Sequence, residues 1–232
     1  MIYFRITSLL LVIALIPALM TNASDISGLL EIKDPRAKEV LTKPTIVRVT
    51  ELSRLPVSLT QAEFLIDHPR LSMVLAHIYD PSLDLYKIEP RPDGSIHIDD
   101  PAGLAGDAVL VNSSPGRRVY FVSGYFEILK MRLNGHMVMN ISYSELPGKA
   151  PVSVDSRTTC YIKVNSAFAG FFTKLATFLF PKKVDQRIGR FANAVKKVAI
   201  AVHADPAGAY AKLAASGEAG PGELKEFAGM FL

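Results

Sequence analysis

Residues 153–203 read SVDSRTTCYIKVNSAFAGFFTKLATFLFPKKVDQRIGRFANAVKKVAIAVH, and they contain the two patterns that most strongly indicate the fold. In the first part of this stretch, positions with mostly apolar side chains alternate with positions that are mostly polar. One parity carries Val154, Thr158, Cys160, Ile162 and Val164, and the other carries Asp155, Arg157, Thr159, Tyr161 and Lys163. A period of two is typical of a β-strand with one buried face. We therefore predict a strand here, in which Cys160 is a small buried apolar side chain rather than a reactive thiol.

The second part changes to a helical period after Asn165 and Ser166, either of which can cap a helix start. Its apolar stripe consists of Val184, Ile188, Phe191, Val195, Val198 and Val202, spaced by three or four residues. The opposite stripe is basic or polar and carries Lys182, Lys183, Gln186, Arg187, Arg190, Asn193, Lys196 and Lys197. This spacing predicts a long helix that lies on an apolar surface.

The start of this helix, residues 167–180, has almost no polar face, and Pro181 is expected to kink or divide it. The apolar piece would be about 21 Å long, which is too short to cross a bilayer. One interpretation is a helix end buried beneath the sheet and the short helices. The other is a lip over a cavity or a surface that contacts a membrane through Phe168, Phe171 and Phe172.

Upstream of this stretch, apolar runs alternate with turn sequences. Residues 85–89 and 95–99 flank a turn at 91–94, and residues 107–112 and 117–128 flank another at 113–116. A further alternating run spans residues 136–146. Short connections without intervening helices predict an antiparallel meander. Gly103 and Gly106, by contrast, are expected to lie in a loop because no helix follows them.

Residues 58–76 have a helical pattern, with Ser58, or Thr60 together with Glu63, as the capping residues. Pro69 interrupts this pattern and predicts two short helices that meet at an angle. Before them, residues 46–49 can form an opening strand. Residues 24–45 are either a linker or hold a short helix over residues 34–41, with Pro35 in its first turn.

The first 23 residues resemble a secretory signal peptide. Arg5 supplies a positive start, residues 9–19 are apolar, and Thr21-Asn22-Ala23 offers small residues at a cleavage point. The sequence thus predicts export to the periplasm or the medium, with an uncleaved anchor as the alternative. The remaining chain has 25 basic against 22 acidic residues, and this small, dispersed excess does not indicate a nucleic-acid partner. Its single cysteine excludes an internal disulfide.

No catalytic or metal-binding motif is present. The five histidines are His68, His77, His97, His136 and His203, and none belongs to a zinc-ligand pattern. His97 with Asp99 and Asp100 could supply metal ligands, although a solvated strand edge explains them better. Asp67-His68 is either an acid–base couple or a helix end, and Arg117-Arg118 fits a charged hairpin tip better than a phosphate site. We predict no catalytic residue, no metal and no cofactor.

What remains is an apolar lining on neighbouring strands and on the long helix, and methionines in it suit an adaptable pocket. The candidate ligand-binding residues are Phe121, Tyr125, Met137, Met139, Ile141, Tyr143, Cys160, Ile162, Phe191 and Val195, with Val198 beside them. The same pattern suits a filled core, so the sequence leaves both possibilities open. Residues 205–232 are expected to form a small helical tail with a flexible joint at 217–222.

The order of these elements resembles the START/Bet v 1-type helix-grip superfamily. The resemblance covers residues 46–204 and rests on topology, chiefly on residues 158–164 leading into residues 167–203, and on no diagnostic motif. It departs from the family in that only residues 46–49 can supply the usual first strand, and in that Pro181 interrupts the long helix. The resemblance implies an α+β fold with a curved antiparallel sheet wrapped around a long C-terminal helix.

The superfamily also implies a function. Its members bind lipids, sterols or other hydrophobic molecules in a cavity, and a minority are cyclases or hydrolases. We therefore expect an exported binding or carrier protein for a hydrophobic ligand. The alternatives are an enzyme on the same scaffold, using His68, His97 or His136, and a structural envelope protein with a filled core.

Overall fold

A computed structural model describes residues 28–29, 31–83, 86–101, 103–128, 131–148, 152–165 and 179–232. By internal contacts the chain divides into residues 1–31 and residues 32–232, and the second unit contains the sheet. The predicted signal peptide and the predicted membrane contact through Phe168, Phe171 and Phe172 lie outside the described residues.

Seven strands form one antiparallel sheet, which confirms the predicted α+β class and meander. The strands are β1 (Ile46–Leu55), β2 (Lys87–Pro90), β3 (Ile96–Asp100), β4 (Leu104–Ser114), β5 (Arg117–Ile128), β6 (Met131–Glu145) and β7 (Val154–Val164). Their order across the sheet is β1-β7-β6-β5-β4-β3-β2, so the first strand pairs with the last. Among the strands of the described residues, β1 and β7 are the one pair of neighbours distant in sequence, and this pairing places β1 at the edge of the sheet opposite β2.

The described part of the chain holds six α-helices. They are α1 (Pro35–Thr42), α2 (Leu59–Asp67), α3 (Pro69–Tyr79), α4 (Leu179–Ala204), α5 (Pro206–Ser216) and α6 (Pro221–Phe231). The long helix is confirmed over the range of α4, which includes Pro181. Among these helices none is both long enough and apolar enough to span a bilayer.

The predicted break between two short helices is confirmed. Ser58 caps α2 by accepting a hydrogen bond from the Gln61 amide, and the Gln61 side chain accepts one from the Ser58 amide. This capping box replaces the alternative one at Thr60 and Glu63. Pro69 is the first residue of α3, a position at which a backbone N–H would have no hydrogen-bond acceptor within the helix.

The helix alternative for residues 34–41 is also confirmed, and this segment is not a free linker. Asp34 caps α1 by accepting hydrogen bonds from the amides of Arg36 and Ala37. The Arg36 guanidinium, bound to the same carboxylate, lowers the pKa of Asp34. Helix α1 packs against β6 and β7, on what we name the outer face of the sheet. The inner face is the opposite one, which α2, α3 and α4 cover.

The expectation that Gly106 lies in a loop is wrong, because Gly106 is inside β4. Its register partner is Gly124 on β5, which in turn pairs with Gly135 on β6, so three glycines form one row across the sheet. The backbones approach closely there: a Cβ on Gly124 would lie 2.2 Å from the Ala105 carbonyl oxygen. Glycines inside strands mark bends or close approaches of this kind, and the row lets the sheet curve.

The C-terminal segment is part of the core rather than a loose tail. Leu213 of α5 and Phe227 of α6 are fully buried in the cluster that contains α3. The α2–α3 corner also holds α6, because Arg70 donates a hydrogen bond to Glu223 at 2.5 Å. Gly217, at φ +68°, ends α5 in the left-handed conformation that glycine adopts without strain.

Candidate functional site

Helix α4 crosses the inner face of the sheet. Ile188 near its start packs against the cluster of Phe126 and Leu133, and Ala199 nearer its end packs with Tyr143 and Val154. Ion pairs join the helix to its surroundings. Their nitrogen–oxygen distances are 2.7 Å for Arg48–Asp185, 3.4 Å for Arg187–Asp100 and 2.9 Å for Lys197–Asp80. The helix is thus joined to β1, β3 and the end of α3.

Between α4 and the inner face lies a cavity of about 390 Å³. Its lining comes from all seven strands and from α2, α3 and α4, and is almost entirely apolar. From the helices the lining takes Ala62, Leu65, Ile66, Met73 and Ala76, besides residues of α4. Since both Leu52 of β1 and Ile88 of β2 border this one space, the sheet curves around it from edge to edge.

The apolar stripe of α4 is packed at one end and open at the other. Val198 and Val202 are 3% and 1% exposed and belong to the cluster built on α3. Phe191 and Val195 lie on the same stripe and border the cavity, yet they are 46% and 37% exposed. The inner side of α4 therefore faces unfilled space over this part of its length.

Nine of the ten candidate residues border the cavity, Tyr125 among them, and eight do so on the strand face or helix stripe that the sequence pattern predicts. These eight are Met137, Met139, Ile141, Tyr143, Cys160, Ile162, Phe191 and Val195, and Val198 joins them. On the sheet they form adjoining rows, because Met137 pairs with Ile162 and Met139 with Cys160. Ligand binding by these residues stays a prediction.

The assignment of Phe121 to the cavity is wrong. Its ring is buried on the outer face, where it stacks on His136 at 5.4 Å between centroids and lies under the Arg36 guanidinium. Tyr125 borders the cavity, but its ring lies under Arg132, 4.5 Å from the guanidinium carbon, and its parity is that of Phe121. The sequence analysis assigned the parity of Phe121 and Tyr125 to the inner face, and this assignment failed because both faces of β5 are apolar.

The other parity of β5 supplies the lining that the sequence analysis missed, namely Tyr120, Val122 and Phe126. The pairing register between β5 and β6 would have identified the inner parity of β5. Val122 is opposite Met137, and Tyr120 is opposite Met139, and directly paired residues of neighbouring strands share a face. Counting back from the β5–β6 connection, where Ile128 pairs with Met131, would have aligned these residues.

A polar cluster lies beside Tyr143 at the edge of the cavity. The Tyr143 hydroxyl donates a hydrogen bond to Glu63 Oε1 at 3.3 Å, and Arg118 binds Asp67 through two nitrogens at 2.7 and 2.6 Å. These bonds to Asp67 raise the pKa of Arg118, and burial raises the pKa of the Tyr143 phenol. Both groups therefore keep their protons at neutral pH, and the cluster links α2 to the sheet.

Cys160 is 3% exposed, as predicted for a small buried side chain. Burial raises the pKa of its thiol to about 12. Because the thiolate is the reactive species, a thiol with this pKa is a poor nucleophile at neutral pH. Cys160 thus contributes shape and an apolar surface to the cavity.

Three of the histidines contact other groups of the protein. The His68 ring bonds to the Phe64 carbonyl and to Glu226 of α6, and His97 Nδ1 lies 2.7 Å from Asp107 Oδ1. His136 borders the cavity, but its ring stacks on Phe121 on the outer face. Within the described residues, no group of three histidine, cysteine or acidic side chains could hold a metal ion.

No protein-family model matches this sequence, and no curated protein matches it either. Among solved structures, the chain is similar to an uncharacterized protein from Rhizobium leguminosarum, with 15% sequence identity and a TM-score of 0.40. The match covers 67% of this chain and 92% of that chain.

Proposed function

We propose that residues 46–204 form a helix-grip domain of the START/Bet v 1 type. The support is the order of its parts: a first strand, a pair of short helices, six further strands and a long helix. The first strand pairs with the last, and the long helix crosses the inner face of the sheet. The predicted departure at the first strand is small, since β1 is ten residues long.

We further propose that the protein binds a hydrophobic ligand, such as a lipid, in the cavity under α4. The observation that carries this proposal is the exposure of Phe191 and Val195 on a helix stripe whose later residues, Val198 and Val202, are buried. A filled core would bury these side chains as it buries Val198. The cavity volume of about 390 Å³ falls within the range of small-molecule sites, about 300–1,000 Å³.

The enzyme alternative receives less support. It would need a titratable group directed into the cavity, such as a histidine beside Tyr125 or Tyr143. The His136 ring instead stacks on the outer face, and the Tyr143 hydroxyl is bonded to Glu63. We therefore favour a binding or carrier protein.

The proposed location is the periplasm or the medium. It rests on the signal-peptide pattern of residues 1–23. Mass spectrometry of the protein recovered from cells tests it separately from ligand binding. A mature chain that begins at Ser24 is expected, and a chain that retains residues 1–23 would contradict cleavage and favour a tethered protein.

Native mass spectrometry of the purified protein, followed by organic extraction, tests ligand binding. We expect a lipid at about one per chain. Met139→Trp places a larger side chain in the cavity and should lower lipid occupancy at least tenfold. Leu110→Trp adds the same side chain at an exposed position of β4 and should leave occupancy unchanged. A protein that stays free of lipid when lipids are offered would overturn the proposal in favour of a filled core.

A further inference from the structure

Three small hydroxyl side chains form a patch on the inner face, at the β1–β7 edge of the cavity. Thr50 pairs directly with Thr158 across the two strands, and Ser156 lies two residues along β7 on the same face. All three border the cavity. Directly paired side chains have Cβ atoms about 5 Å apart, so one ligand group can reach more than one of these hydroxyls. We name these three residues the hydroxyl patch.

The hydroxyls of this patch make no hydrogen bond with a described residue. Two other hydroxyls on the cavity wall, those of Ser72 and Tyr143, differ in this respect. Ser72 donates to the Leu65 carbonyl oxygen at 2.5 Å, and Tyr143 donates to Glu63. A hydroxyl in apolar surroundings without a partner is unfavourable. The three residues are only partly buried, so their hydroxyls can form hydrogen bonds with a molecule that enters the cavity.

The charge on the cavity wall indicates what kind of molecule this is. Arg187 borders the cavity, but its guanidinium lies 4.2 Å from the Phe126 ring centre and pairs with buried Asp100. The Arg187–Asp100 ion pair has no net charge, so it does not attract an anionic group of a ligand. The hydroxyl patch is also uncharged, and a hydroxyl can both donate and accept. An uncharged oxygen group fits this wall better than a carboxylate or a phosphate.

The patch and the glycine row lie at different heights along the strands of the inner face. Thr158 pairs with Ile141 of β6, and Gly135 on the same strand belongs to the glycine row. Six residues of antiparallel strand span about 20 Å. Along this path the wall is formed by Met137, Met139 and Ile141. The space thus suits a long apolar body with one polar end.

We propose that the cavity takes a long-chain lipid whose polar end is an uncharged hydroxyl or carbonyl oxygen, bound by Thr50, Ser156 and Thr158. The apolar chain of this lipid runs from the hydroxyl patch along β6 towards the glycine row. This proposal rests on the proposed hydrophobic-ligand function and specifies the chemical class of the ligand.

The test uses three probes with the same chain length: oleyl alcohol, oleate and 1-octadecene. Each is delivered from cyclodextrin to the delipidated protein, and native mass spectrometry measures its occupancy. We expect the alcohol to bind about three- to tenfold more tightly than the octadecene, the effect of one or two neutral hydrogen bonds. Oleate should bind more weakly than the alcohol.

Thr158→Val removes a hydroxyl from the patch with little change of shape and should lower alcohol binding about threefold or more. Octadecene binding should stay unchanged. Thr159→Val is the matched control, because Thr159 is the next residue on β7 and lies on the outer face. If either valine variant does not fold, Ser156→Ala with Ser153→Ala as its control provides the same comparison, since Ser153 lies before β7.

The outcomes separate the two proposals. Equal binding of alcohol and octadecene, or a loss of octadecene binding in Thr158→Val, would overturn the role of the hydroxyl patch while the hydrophobic-ligand function stands. A preference for oleate that disappears in Arg187→Met would place the polar end at Arg187 and also overturn it. If none of the three probes binds, the hydrophobic-ligand function itself fails.

Discussion

The two faces of the sheet differ in how completely they are packed. Val138 and Met139 are neighbours on β6 and point to opposite faces; Val138, on the outer face, is 0% exposed, whereas Met139, on the inner face, is only half-buried. The same contrast separates Phe121 on the outer face from Phe191 on the helix that covers the inner face. At this part of β6 the more fully packed side lies under the short helix α1, and the less packed side lies under the long helix α4.

The way each helix is held explains this difference. Helix α1 places small or medium side chains, Ala37, Val40 and Leu41, in buried positions, and it packs directly on β6 and β7. Helix α4 is held by α3, by packing on the sheet at Ile188 and Ala199, and by ion pairs, including those of Asp185 and Arg187 near its start. A helix held in this way can cross a curved sheet without filling the space beneath it. Packing on the outer face can thus stabilise a cavity on the inner one.

The largest expected effect compares the two phenylalanines. Phe121→Ala removes a side chain that is 2% exposed and should lower the free energy of unfolding by about 3–5 kcal/mol. Phe191→Ala removes one that is 46% exposed and should cost only about 1 kcal/mol. Urea unfolding measures both changes in the free energy of unfolding, provided that the variants keep the m-value of the wild type.

Equal losses in the two variants would break the comparison, because they would mean that Phe191 is packed as tightly as Phe121. Ligand binding provides an independent readout. Phe191→Ala should alter lipid occupancy, since Phe191 borders the cavity. Any effect of Phe121→Ala on lipid occupancy should disappear under conditions in which that variant is fully folded.

A smaller effect is expected at the glycine row. Gly124→Ala would place a methyl group 2.2 Å from the Ala105 carbonyl oxygen, so the strands must move apart, at about 1–3 kcal/mol. Gly189→Ala is the matched control: an added Cβ meets nothing within 4 Å on helix α4, and alanine should stabilise that helix by up to about 1 kcal/mol. The shift of the urea midpoint should therefore have opposite signs in the two variants.

If Gly124→Ala were neutral, the glycine row would not be needed for the curvature of the sheet. The volume of the cavity would then depend only on the size of the side chains that line it. A structure of the variant would decide this, because flattening at β4–β5 should widen the distance between the Gly106 and Gly124 backbones.

Much of the fold could be predicted because it depends on local signals. Turn residues and alternation identified the hairpins, Pro69 divided the helix pair, and the stripe from Val184 to Val202 identified α4. The inner parity of β7 was also correct, since Asp155, Arg157 and Lys163 mark the other face. These signals act within a few residues, so a single sequence contains them.

The errors occurred where tertiary packing decides. On β5 both parities are apolar, because α1 lies on the side of the sheet that was expected to face solvent, and Phe121 was therefore assigned to the wrong face. Gly106 was placed in a loop because its partners Gly124 and Gly135 lie on other strands. Nor could parity distinguish a cavity from a filled core, since both need the same apolar residues.

The smallest predicted effect tests how dry the inner face is. Burial raises the pKa of the Cys160 thiol to about 12, whereas an unfolded chain has a cysteine pKa of about 8.5. Above pH 8.5 the unfolded state therefore loses a proton that the folded state keeps, and this contribution to stability decreases until the pH passes the folded pKa. By pH 9.5 the loss should be about 1 kcal/mol relative to pH 7.5.

Urea midpoints of the wild type and of Cys160→Ala between pH 7.5 and 9.5 measure this contribution, since the variant lacks the thiol and should lose less stability as the pH rises. The difference between the two slopes is the relevant quantity, because the alanine variant is also less stable at every pH through the volume that it removes. Parallel pH profiles would mean that the thiol titrates near its ordinary pKa in the folded protein. Water would then reach β7 from the cavity, and the inner face would be hydrated as well as less packed than the outer one.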